Sequence, residues 1–139
     1  MKRVGFSLIE VLVAVILIGL AIAALVVAGN SFTRANAAGA ELATAEFLVE
    51  QIRERTAMLP YGDLYSFADK NFCPPIGADG TVLNDFAAFT QKVKVKNVSA
   101  SDLGQVVGYD SGFIRISVEV TLNSRPISSI SWVRANYAK

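Results

Sequence analysis

With 139 residues the chain has room for one small domain and one appended element. Its formal net charge of +1 gives no global electrostatic reason to expect a nucleic acid or an acidic substrate, and the absence of histidine removes the commonest general base and the commonest metal ligand. The single cysteine, Cys73, cannot close a disulfide within the chain or build a zinc cluster.

Hydrophobic residues make up 53 % of the chain, and the excess is concentrated in residues 6–27, behind the short basic leader Met1-Lys2-Arg3-Val4-Gly5. As a helix that run spans about 33 Å, enough for a hydrocarbon core of ~30 Å. Lys2 and Arg3 precede it and the next basic residue is Arg34, so the charge bias puts the N-terminus in the cytoplasm and the chain beyond Asn30 outside. Three plain readings compete: a membrane anchor, a secretory signal peptide cut after Ala35-Asn36-Ala37, and a buried core helix. A signal peptide is usually shorter in its apolar part, and a helix apolar all round suits lipid better than a small core.

Glu10 is the one charge inside the run. A carboxylate at membrane depth costs at least ~2.5–3.5 kcal/mol and calls for a partner. A cut between Gly5 and Phe6 creates one, since Phe6 then carries a free α-amino group that a staggered neighbouring helix can bring to Glu10.

The string Gly5-Phe6-Ser7-Leu8-Ile9-Glu10-Val11-Leu12-Val13-Ala14, behind its basic leader, resembles the N-terminus of type IV pilins and type II secretion pseudopilins. The resemblance implies cleavage after Gly5 by a prepilin peptidase, N-methylation of Phe6, and a role for Glu10 in neutralising a neighbour's N-terminus during assembly. It also implies an α+β fold in which a long helix lies on a small antiparallel sheet. The implied partners are other pilin or pseudopilin subunits, an inner-membrane assembly platform, and membrane lipid before assembly. Major pilins often carry a proline midway along this helix and a disulfide near the C-terminus. This chain has no proline between Phe6 and Leu59 and no second cysteine, which points to a minor subunit.

Beyond the apolar run, Leu42, Ala45, Val49, Ile52 and Leu59 recur at helical spacing, so one long helix is expected from residue 6 to about 58, ending before Pro60. Residues 60–80 carry turn signals, with Tyr61, Tyr65, Phe67 and Phe72 pinning an irregular connection to the body. Alternation over residues 91–98 and 112–122, then the turn Asn123-Ser124-Arg125-Pro126 into residues 127–135, predicts three antiparallel strands. The division is therefore a leader (1–5), a membrane or filament-core helix (6–29) and an exported domain (30–139).

The other candidates are weaker. Lys92, Lys94 and Lys96 share a strand face, which suits either DNA phosphates or the guarding of a solvated edge strand, and DNA is the lesser expectation. Asp69, Asp79, Asp85 and Asp110 lack the spacing of a calcium loop. Cys73 is expected to be buried as a small apolar residue, and Trp132, on the same strand face as Ile130, to pack in or beside the core. No nucleophile–base pair or phosphate loop can be placed, so no catalytic residue, cofactor or metal is expected. Two alternatives from other classes stand beside the filament subunit: a binding module on a plain anchor, and an exported soluble protein.

Overall fold

The structure is a computed structural model that describes residue 5 and residues 7–137. It divides into two compact units, Met1–Ala40 and Glu41–Lys139.

Among its described residues the first unit is helix. Helix α1 runs Leu8–Met58, and no proline interrupts it. Ser7 starts it: its carbonyl accepts from the Glu10 and Val11 amides at 3.0 and 3.2 Å, and its Oγ accepts from the Ile9 amide at 3.4 Å. A serine before an apolar run supplies acceptors for amides that have no partner within the helix. Further along, Ser31 and Thr33 return their hydroxyls to the carbonyls of Val27 and Gly29 at 3.0 and 3.1 Å, so neither needs a polar partner elsewhere.

The second unit builds its own core around the remainder of α1. Ala45, Leu48, Val49, Ile52 and Thr56 are buried there. The expected stripe is correct at Ala45, Val49 and Ile52. Leu42, however, is 43 % exposed, and beside it Glu41 pairs with Arg125 at the start of the last strand. Leu48 widens the stripe, as a helix lying on a sheet requires. Thr56 is admitted because its hydroxyl bonds to the Arg53 carbonyl at 3.0 Å.

α1 stops before Pro60, and a 3-10 turn, Tyr61–Phe67, follows. Leu64 is its deepest anchor and Phe67 is also buried, whereas Tyr65 lies at the surface with its hydroxyl donating to Asn97 Oδ1 at 2.7 Å. Strands β1 (Lys70–Phe72), β2 (Phe89–Asn97), β3 (Phe113–Leu122) and β4 (Arg125–Ala135) then form one antiparallel sheet in that spatial order. The fold is α+β, a long helix packed against an antiparallel sheet, as expected.

The details correct the sequence reading in three places. The sheet has four strands, because β1, three residues long, is too short to show alternation. It pairs with residues 91–93 of β2, so Lys92 stands on an interior part of the sheet, while Lys94 and Lys96 lie beyond the end of β1. The β3–β4 turn contains only Asn123 and Ser124, both at positive φ (48° and 69°), while Arg125 and Pro126 already pair with Leu122 and Thr121. Two left-handed residues give a two-residue hairpin the twist its strands need. Ile127 is the extra residue of a bulge, since Val120 faces Ser128 and Thr121 faces Pro126. Thr121 is buried next to Val120, while Leu122, expected on the inner face, is half-buried.

The inner faces of β2 and β3 (Val93, Val95, Ile114, Ile116, Val118 and Val120) close on α1. Gln91 is buried among them, and every polar contact of its amide is internal. Nε2 donates to the carbonyls of Leu48 (2.8 Å) and Ile76 (3.1 Å), and Oε1 accepts from the Ile76 amide at 2.8 Å. Gln51 Oε1 accepts from the Ala78 amide at 3.0 Å, and the Arg55 guanidinium reaches the Ala78 carbonyl. Gly80, at φ +86°, lets that loop turn over Arg55, since a Cβ there would lie 3.3 Å from Nη2.

Candidate processing and assembly segment

Of the expected processing residues, only Gly5 lies among the described residues, ahead of α1. Gly5 is exposed, and Phe6 lies outside the described residues. Glu10 sits in the first turn of α1, where a carboxylate complements the partial positive charge of a helix N-terminus. Leu8, Val11, Leu12, Val15 and Ile16 form an apolar strip on one side of the helix. At about 100° per residue, Glu10 projects from roughly the opposite side, with Ala14, Leu17 and Ala21. Gly5 thus precedes α1 and Glu10 lies in its first turn. No amine meets Glu10 among the described residues of this chain.

The apolar stretch of α1 has no cover among the described residues. It is long and apolar enough to cross a membrane, and none of it is buried. Leu8, Leu20 and Leu25 are each more than 60 % exposed. A continuous apolar surface of this extent needs lipid or other helices around it. Sequence reading found Gly5 and Glu10 but missed Ser7 as the starting cap, although a serine directly before an apolar run is the usual signal.

The family described as the prokaryotic N-terminal methylation motif matches residues 2–26. The match supports the type IV pilin and pseudopilin family. It falls on the leader and on the uncovered part of α1, and the pilin-like helix-on-sheet arrangement follows it in the chain. No curated protein and no solved structure matches the chain.

The remaining candidates are explained by the pilin-like fold. Lys92 pairs with Glu119 of β3 at 3.4 Å and Lys96 with Asp69, in the turn before β1, at 3.9 Å, so two of the three lysines already face acids of this chain. The four acids do not converge, and no group of metal-ligating side chains forms among the described residues. Asp79 caps its own loop, accepting from the Thr81 amide and hydroxyl at 2.9 and 2.7 Å, and these bonds hold its carboxyl below the usual range. Asp110 accepts from the Tyr61 hydroxyl at 3.3 Å and the Gly112 amide at 3.0 Å. Burial, with Tyr65 and Asp110 close by, pushes the Tyr61 phenol well above its ordinary value.

Cys73 is exposed, contrary to expectation. It follows an edge strand, and the loop turns Pro75 and Ile76 inward in its place. Trp132 packs against the core as expected, while Ile130 beside it is exposed. Arg134, which the sequence did not single out, donates to the carbonyls of Thr56 and Leu59 and so caps the C-terminal end of α1.

Proposed function

We propose that this chain is a minor structural subunit of a type IV pilus or a secretion pseudopilus, and that its role is assembly and not catalysis. The single observation that carries this reading is the coincidence of the methylation motif with a helix surface that the chain itself leaves uncovered. In this reading the precursor is held in the inner membrane with residues 30–139 outside the cytoplasm. The prepilin peptidase removes residues 1–5 and methylates Phe6. The assembly platform then lifts residues 6–29 from lipid into a bundle of like helices, exchanging lipid contacts for helix contacts. Glu10 pairs with the amino group of a neighbour's Phe6, which sets the stagger between subunits. An ion pair in so apolar a setting is tolerable when complete and costly when either partner is missing.

The paired lysines leave little reason to add DNA as a partner. The test is to shear filaments from intact cells and collect them by sedimentation. The chain is expected in the filament fraction together with other pilin-type subunits. Its recovery only in the membrane fraction, under conditions where filaments form, would favour the anchored binding module.

A further inference from the structure

β4 is an edge of the sheet, 11 residues long, and among the described residues no other strand pairs with its outer side. Natural edges of that length are guarded by prolines, charges or bulges. Here the guards, Arg125, Pro126 and the bulge at Ile127, all stand at the start of the strand. Residues 128–135 pair with β3 in unbroken register and carry no such device on their open side except Arg134, whose guanidinium is turned onto the end of α1.

Along that unguarded half runs a groove of about 270 Å³ between β4 and the last turns of α1, lined by Arg53, Ala57, Trp132, Val133, Ala135 and Tyr137, with Arg134. The walls are apolar and aromatic, and both charges are positive. Arg53 has a single weak partner, Glu50 at 3.6 Å, with both side chains more than half exposed, so it is open to exchange. A free strand edge beside a helix, with a groove between them, is the geometry in which an extended peptide adds a strand: backbone bonds hold it and alternate side chains enter the groove.

We propose that β4 accepts an extended peptide segment of another polypeptide as a fifth strand, with apolar side chains in the groove and a carboxylate against Arg53. This binding is independent of the filament reading, since it uses only residues of the second unit. Trp132 is the only tryptophan, so its fluorescence reports the groove directly.

The test uses the full chain in detergent micelles and an acetylated octapeptide of alternating valine and threonine ending in glutamate. Two controls carry backbone N-methyl groups, one on the valines and one on the threonines. The expected result is a saturable change in Trp132 emission and slowed amide exchange confined to residues 128–135. One N-methylated control should lose binding, and Arg53→Glu should weaken it roughly tenfold. The proposal is overturned if Trp132 does not respond, if both controls bind as the parent does, or if protection falls elsewhere. It is overturned equally if the edge becomes protected with rising protein concentration and no peptide, because the occupant is then a second copy.

Discussion

The two units of this chain spend their apolar residues in opposite ways. In the second, Leu48, Ile52, Ile116 and Val118 are removed from water by one another, so its core is complete within a single chain. In the first, Leu8 through Val27 present comparable side chains to the outside, with none of the described residues covering them. One unit is stabilised by folding, and the other only by what surrounds it. The difference shows where to look for function: Gln91 and Arg134 in the second unit spend their polar groups on backbone carbonyls and amides of the same unit, while Glu10 in the first meets no cation among the described residues.

That contrast can be broken most sharply at Glu10. Glu10→Leu should leave membrane insertion intact and the second unit folded, yet lower incorporation into filaments by at least about a hundredfold, because a neighbour's buried amine is left unpaired at a cost of ~3–5 kcal/mol. Quantitative blotting of sheared filaments against membranes measures this. Ile116→Ala does the reverse. It should destabilise the second unit by about 2–5 kcal/mol in chemical denaturation without altering insertion of the helix. Gln91→Ala should cost less, about 1–3 kcal/mol, by stranding the Leu48 and Ile76 backbone groups, and should speed amide exchange in the loop containing Ile76 and Ala78.

The smallest effect is a pH dependence. The Tyr61 phenol is raised in the folded chain, so above about pH 10 the unfolded chain releases a proton that the folded chain retains. The stability this group contributes is therefore complete below about pH 10 and falls as pH rises beyond it. Tyr61→Phe should flatten that alkaline decline in denaturation measured from pH 9 to 11, with no change at pH 7.

Much of this arrangement was legible in the sequence because it rests on local signals. Pro60 ends α1, alternation marks β3, and the N-terminal string from Gly5 to Ala14 points to the same motif that the family match covers. What was not legible depends on contacts between distant residues. β1 is a strand only because β2 pairs with it, and three residues carry no period. The bulge at Ile127 offsets the β3–β4 register, and beside it Thr121 is buried against the alternation expected from β3 alone. Gln91 is buried because Leu48 and Ile76 happen to need its amide, and Cys73 is exposed because its neighbours take the inward positions. The candidate site divides in the same way: Gly5, Phe6 and Glu10 follow from a linear motif, whereas the groove beside β4 needs the sheet order before it exists.

The most direct test of the central claim is the intact mass and N-terminal analysis of the chain isolated from its native membranes. The account predicts a mature protein that begins at Phe6 and carries one methyl group on its amine. A start near Ala38 would contradict it in favour of an exported soluble protein, and an uncut Met1 in a host with active prepilin peptidase would leave only a membrane anchor.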